Sequence, residues 1–345
     1  ATLEGYHAES WSDLAVDRPD LFDLMVAHFG GGAAVDVDGG DAGEVSGETA
    51  GVRYRALGAG PGLVLTPLVL APSQWAPLLP RLAERFRVVV LGGPHLGMLS
   101  LLEERAALAD WRQMCAGAFD SLALRPGDRV LDVGCGSGAV ALQFRAHTDG
   151  RNPLTALDLS PYLLGEARIA AERAGVDIAF EEGSAHALPF ADASFEAAYS
   201  ITVLEECDAA RALAELRRVV KPGGRVAVIV RGVDLHSWWN MLLPDEVRAK
   251  IALPAASVAP AGVASARLYD MAVAAGLRPI RKFVYTVAVA NAAGPTYGYS
   301  ENYALSLLTP AEQQAYYAAK AEAMAAGVLF QTRGHHGFIG EVPSA

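Results

Sequence analysis

The sequence predicts an α/β fold, a doubly wound parallel sheet, on three observations. Residues 129–138 (RVLDVGCGSG) join an apolar, strand-length run to a glycine turn, and the chain continues into a helix-like stretch at 139–144. Strand-sized apolar runs then alternate with amphipathic stretches of 3.6-residue period as far as 230, the pattern of consecutive βαβ units. Glycines and acidic residues cluster where the apolar runs end, which is where open α/β sheets bind ligands.

Taken in order, residues 1–30 read as helical, because Trp11, Leu14, Leu21, Leu24, Met25 and Phe29 recur near a helical period and Asp20 can cap after Pro19. Residues 30–51, rich in Gly, Asp and Ala, read as loop or linker. Strands at 52–57 and 63–70, a helix at 77–86 and a strand at 87–91 follow. This block resembles the opening of an α/β-hydrolase, but the HG oxyanion turn is missing and no G-x-S-x-G elbow occurs in the chain, so it is read as accessory scaffold. One long helix is expected over 98–122, with Leu101, Ala106, Leu108, Trp111, Met114 and Phe119 as its apolar surface.

Arg125-Pro126-Gly127-Asp128 turns the chain into a strand at 129–133. A second strand, 154–159, follows Asn152-Pro153. Ser160 as N-cap and Pro161 at the first helical position open a helix that Gly175 ends. A third strand, 178–182, leads into 183–190, and a fourth, 195–201, ends at Thr202-Val203-Leu204-Glu205-Glu206. Asp208 caps a helix over 209–220 that buries Leu213, Leu216, Val219 and Val220, and Lys221-Pro222-Gly223-Gly224 turns into a strand at 225–230. Beyond it come a helix near 244–251, a small-residue loop at 252–264, a helix capped by Ser265 and ended by Gly276, and a strand at 280–289. Helices at 299–307 and 310–326 and a last strand near 328–331 or 337–342 complete seven strands.

Composition narrows the function. At 345 residues and 52% apolar content, the chain can hold one large α/β domain plus an accessory segment. A net charge of −11 disfavours nucleic acid as substrate, leaving a small molecule. No apolar run reaches membrane-spanning length and no signal peptide is seen. Cys115, Cys135 and Cys207 show no close pairing, which favours a reduced, cytoplasmic location and no zinc site.

The glycine loop is ambiguous taken alone. Gly134, Gly136 and Ala139 satisfy the dinucleotide G-x-G-x-x-G/A fingerprint, with Asp158 about 20 residues on. Gly134, Gly136 and Gly138 equally form the G-x-G-x-G loop of S-adenosylmethionine (SAM) enzymes. The later motifs decide. VLDVGCGSG, TALDLS, ALPFADASFE, SITVLEE and LRRVVKPGGRVAV, in that order, resemble class I SAM-dependent methyltransferases, in particular the type 11 group that includes the ubiquinone/menaquinone C-methylases. The resemblance covers roughly 98–345 and implies a Rossmann-like, seven-stranded sheet. Residues 1–97 are then an N-terminal accessory or oligomerisation segment, and the C-terminal helices of 98–345 a substrate lid.

The resemblance also implies roles. Gly134, Gly136 and Gly138, with Cys135 as a small filler, would wrap the methionine and ribose parts of SAM. Asp132 would orient the loop or reach the methionine amino group through water, and Asp158 would accept the ribose hydroxyls. Leu159 would lie against adenine. Ser184, where the family usually carries Asp, and the Ala185 amide would meet the adenine edge, and Ile201 would offer its carbonyl. Glu205 and Glu206 are the candidate proton acceptors, with His236 as the alternative. Trp111, Trp238, Trp239, Tyr297, Tyr299 and Tyr303 could line a lid, and His335-His336 is read as exposed. The expected function is methyl transfer from SAM, leaving S-adenosylhomocysteine (SAH), to a small, hydrophobic acceptor such as a natural product or lipid-like ring. An NAD-linked oxidoreductase and a non-catalytic SAM-binding assembly protein are the alternatives.

Overall fold

The computed structural model describes residues 44–49, 52–67, 75–76, 78–256 and 258–344. It divides into two compact units, the first ending at Leu101 and the second beginning at Leu102. The expected helix over 1–30 lies outside the described residues.

The first unit holds a four-stranded sheet. Strand β1 (Val45–Thr49) pairs antiparallel with β2 (Val52–Leu57), β2 antiparallel with β4 (Arg87–Gly92), and β4 parallel with β3 (Gly62–Leu65). Helix α1 (Leu79–Ala83) connects the parallel pair. Period-two alternation turns Leu63, Leu65, Val88 and Val90 inward against Leu79 and Leu82, and leaves Val64 60% exposed. Strand β1 corrects the expected loop over 30–51. Its residues are mostly exposed, so backbone pairing rather than a buried face holds it, and it carries no apolar alternation to read.

The second unit is the doubly wound sheet. Strands β5 (Val130–Val133), β6 (Leu154–Asp158), β7 (Ala179–Glu182), β8 (Phe195–Ile201), β9 (Val220–Arg231), β10 (Arg278–Val289) and β11 (Gln331–Glu341) lie in the order β7-β6-β5-β8-β9-β11-β10. All neighbours are parallel except β11, which runs antiparallel to both β9 and β10. Strand order therefore reverses between β5 and β8, and the crevice outside their carboxyl ends is where such a sheet binds ligands. Helices α4 (Ala139–His147), α5 (Pro161–Ala174) and α6 (Ala209–Val219) cover the sheet. In α6 the expected stripe is buried, with Leu213, Leu216 and Val219 all fully covered. Burying a leucine fully contributes about 1.5–3 kcal/mol.

Three expectations are corrected here. The long helix over 98–122 is two, α2 (Gly97–Ala107) and α3 (Ala109–Ser121), broken at Leu108, whose backbone is extended. Nothing in the side-chain periodicity marks this break. It is held from outside: Asp110, in the first turn of α3, accepts from Ala288 N of β10 at 2.9 Å. The final strand is neither of the two short candidates but runs 11 residues, Gln331–Glu341. Within it, Gly337 is where Phe283 of β10 lies across the strand, and a Cβ there would sit 2.1 Å from the ring. Helix α8 (Arg267–Ala274) starts one residue later than a Ser265 cap predicts: Ala266 holds the cap position and its N–H donates to Asp234 Oδ2 at 3.0 Å, while Ser265 Oγ accepts from Arg267 N at 3.4 Å. By contrast, Ser160 does cap α5, accepting from Leu163 N, and Gly175 ends it in the left-handed conformation. Two further helices, α9 (Pro295–Ser306) and α10 (Pro310–Ala325), follow β10, and a short one, α7 (Asp245–Lys250), precedes α8.

Candidate functional site

Strand β5 ends at Val133, and the chain turns through Gly134, Gly136 and Gly138, all at positive φ. The Gly134 and Cys135 amides both donate to Leu157 O, at 2.7 and 3.0 Å, which ties the loop to the end of β6 before α4 begins. A Cβ at Gly136 would meet only Leu102 Cδ1, at 3.4 Å, so the loop is open on that side. Its φ of +56° is one that side-chain-bearing residues rarely adopt. Cys135 is buried, and burial pushes its thiol well above the ordinary range, which disfavours the thiolate a nucleophile requires.

Two carboxylates frame this loop. Asp158, at the end of β6, accepts from Gly136 N at 2.8 Å through Oδ2 and from Ser160 N at 2.9 Å through Oδ1. Burial raises its pKa, and those backbone donors oppose the rise. Each oxygen keeps a second lone-pair direction, so Asp158 fixes the loop and can still accept from a ligand. The next residue, Leu159, is 61% exposed, an apolar side chain presented rather than packed. Asp132 is 2% exposed, its carboxyl pushed up to about 8 chiefly by burial. The Tyr199 hydroxyl opposes that rise and the Asp158 charge adds to it. Its Oδ2 has no hydrogen-bond partner among the described residues. An open glycine turn, the Asp158 carboxylate tied to it and the exposed Leu159 beside that carboxylate together fit a nucleoside-bearing ligand. Ser184 lies further along the same edge, where its Oγ accepts from His186 N at 3.2 Å, and Gly183 N donates to Asp158 O. Ala185 packs from the same stretch onto the core beneath α6.

Across the crevice, Ile201 closes β8 in register with Ile229. Thr202 then takes φ +55°, an outlier for a β-branched residue of the kind found at functional turns. The segment 202–206 faces two ways. Val203 packs on the glycine loop so closely that a Cβ at Gly134 would fall 2.2 Å from its Cγ2. Glu205, fully buried, accepts from Arg231 N at 2.6 Å, with Arg231 Nε at 3.7 Å, while Arg231 Nη2 donates to Glu206 Oε1 at 3.0 Å. Burial raises the Glu205 carboxyl to about 7 against the pull of Arg231, and its Oε2 has no hydrogen-bond partner among the described residues. The Ala259 and Val263 amides clamp the segment by donating to Glu205 O and Leu204 O at 2.8 and 2.9 Å. His236 is exposed and lines neither cleft described next.

At the carboxyl end of β9 lies a cleft, open to solvent, bordered by Arg231, Trp239, Tyr299, Tyr303, Arg333 and His335. A second, smaller space, lined by Arg105, Trp111 and Thr296, shares Arg231, Arg333 and His335 with it. Thus His335 and His336 are not exposed, as expected from sequence, but buried. They sit on β11, which has partner strands on both sides, whereas neither strand expected from sequence covers 332–336. Of the aromatic set, Trp111, Trp239 and Tyr297 belong to the core, and Trp238 and Tyr299 are exposed. No sequence motif assigns a site role to Arg105, Arg231 or Arg333. The one available signal was an arginine directly after the fifth strand. Among the described residues no group of His, Cys, Asp and Glu gathers as metal ligands, and no helix is long and apolar enough to cross a membrane.

Residues 131–228, from β5 into β9, match the family model described as a methyltransferase domain. A malonyl-[acyl-carrier protein] O-methyltransferase of Erwinia billingiae is 36% identical over 161 residues, covering 45% of this chain and 61% of that protein. A demethylmenaquinone methyltransferase of Thermus thermophilus is 34% identical over 137 residues, covering 39% of this chain and 60% of that one. The alignments span no more than 61% of these curated relatives' own lengths. Among solved structures, the YcgJ protein of Bacillus subtilis is similar over 68% of this chain and 100% of its own, at 20% identity and a TM-score of 0.46.

Proposed function

We infer that this chain, which carries a type 11 methyltransferase domain over residues 131–228, transfers a methyl group from SAM to a small, apolar-bodied organic acceptor. The observation that carries the reading is the convergence at the β5/β8 crevice. There the open glycine turn, the Asp158 carboxylate bound to Gly136 N, and the strained 202–206 segment meet. An NAD-linked oxidoreductase is disfavoured. The dinucleotide sheet runs 3-2-1-4-5-6, whereas here an antiparallel strand is inserted between the fifth and the sixth.

When bound, SAM supplies an electrophilic methyl group on a sulfonium. The chain's part is to bind and align. The loop amides and Asp158 would hold the ribose and methionine portions, Asp132 the amino end, and Leu159 with Ser184 and Ala185 the adenine, with Ile201 closing the pocket floor. Alignment of two reactants in one site accounts for about 7–11 kcal/mol of a barrier. Where the acceptor must lose a proton, Glu205 has the elements of a base: a carboxyl held near neutrality and one oxygen not engaged. The two curated relatives named above differ in acceptor, so the acceptor atom is a matter for experiment.

The test is calorimetric and chemical. SAH should bind the full chain, and Gly136→Val, folded by circular dichroism, should abolish that binding by closing the open side of the turn. Incubation with methyl-labelled SAM and an acceptor library should give a labelled product by mass spectrometry. SAH binding to Gly136→Val at parental affinity would remove the loop from the site, and selective NADH binding would restore the oxidoreductase reading.

A further inference from the structure

The two adjoining clefts hold three arginines. Arg105 comes from α2, Arg231 from the end of β9 and Arg333 from β11, opposite the carboxyl end of β9. Their carboxylate neighbours are unevenly shared. Glu205 and Glu206 both engage Arg231. Glu104, next to Arg105 in sequence, commits its oxygens to Asn291 Nδ2 and Thr296 N, each at 2.7 Å. Arg105 Nε has no hydrogen-bond partner among the described residues, where the Glu205 carboxylate acts on its guanidinium only through space, and no carboxylate among the described residues pairs with Arg333. A half-buried guanidinium that no anion contacts directly is costly, because its desolvation is only partly offset.

The stacking is equally specific. The Arg105 guanidinium lies 4.3 Å over the Trp111 ring, and that of Arg333 5.3 Å over Tyr299. Stacking uses the face of a guanidinium and leaves its edge N–H groups to donate in plane, the geometry that recognises carboxylate or phosphate. Between them stands His335, edge-on to Trp111 at 5.4 Å, with Nδ1 unpartnered. Burial and the arginines hold its pKa down to about 3, so it stays neutral at physiological pH and adds no competing charge.

We propose that this arginine cluster is the acceptor's anchoring site: it takes an oxyanion, a carboxylate or phosphate, carried on an aromatic or apolar body, with Arg105 and Arg333 donating to the anion. The assignment rests on the methyl-transfer reading for what happens next, but the binding step is testable without it. Segment 202–206 joins the two sites physically, with Val203 on the glycine loop and Glu205 and Glu206 on Arg231. An anion held by Arg105 and Arg333 would place the acceptor's body along Trp239 and Tyr303 in the larger cleft.

The experiment titrates the full chain, with and without saturating SAH, with phenyl phosphate, benzoate, benzamide and benzyl alcohol. An anionic probe should bind about ten- to a hundredfold tighter than either neutral one, the worth of a charge-assisted hydrogen bond. The margin should shrink as salt is raised. Whichever anion binds more tightly identifies the head group. In Arg333→Gln and Arg105→Gln the margin should collapse while SAH affinity stays within a few-fold, and Arg333→Lys should keep part of it. Absence of anion binding, equal binding of charged and neutral probes, or a margin untouched in both Gln variants would overturn the proposal. Selective anion binding by a chain that does not bind SAH would overturn the methyl-transfer reading and leave the anion site in place.

Discussion

Glu205 is the residue at which structure and chemistry press hardest on each other. Its Oε1 is committed to the Arg231 amide, and its carboxyl is raised to about 7 by burial. If it accepts the acceptor's proton, Glu205→Gln should lower turnover by about 10²–10⁴ with SAH affinity intact. Glu206→Gln, at the half-buried neighbour, should change turnover little. Turnover within a few-fold of the parent in both variants, singly and together, would leave the carboxylates only the task of holding Arg231. His335 supports a stability prediction. Its folded pKa is depressed from 6.5 to about 3, so between those values the unfolded chain binds a proton that the folded chain refuses. Stability therefore falls as pH drops through that window and is flat above it with respect to this residue. His335→Gln should flatten the acid limb of a thermal-denaturation profile recorded from pH 7 to 4, and an unchanged slope would contradict the burial argument.

At the scale of elements, sequence reading located what local chemistry determines. The β8 strand and the Ser160–Pro161 helix start stand where spacing and capping placed them, because turn residues and N-caps act within a few positions. The elements it misread are set by distant partners: Leu108 breaks a helix that Asp110 anchors to β10, and β11 keeps its course through three glycines because β9 and β10 flank it. The candidate site divides the same way. The glycine loop, Asp132 and Asp158 were legible as a motif. Arg105 and Arg333 were not, since they are 228 positions apart and meet only because α2 and β11 approach one cleft. The local rule is open to measurement. Ser160 accepts from Leu163 N at 3.3 Å, and α5 starts beside the amide that Asp158 holds. Ser160→Ala should cost about 0.5–2 kcal/mol in urea unfolding. A loss below the error of the method would mean that Pro161 and Asp158 alone fix the helix start.

At the scale of the whole molecule, the unit ending at Leu101 has strands and a core of its own and none of the loop, carboxylates or arginines discussed above. Its sheet presents Val45 at 47% and Val64 at 60% exposure, apolar side chains on strands that gain nothing from water. We propose that residues 1–97 serve assembly rather than chemistry. No residue assigned to the site above comes from this unit, whereas an α/β block with exposed valines gains from burial against another surface. Removal of residues 1–96 spares α2 from its first residue, Gly97, and leaves the glycine loop and all three arginines in the chain. Light scattering should then report a smaller particle than the parent forms, or aggregation if the lost contact had covered apolar surface. SAH binding by calorimetry should persist in the soluble fraction. A shortened chain with the parent's mass per particle, less only the deleted residues in each subunit, and with the parent's turnover would exclude both assembly and active-site covering as the work of this segment.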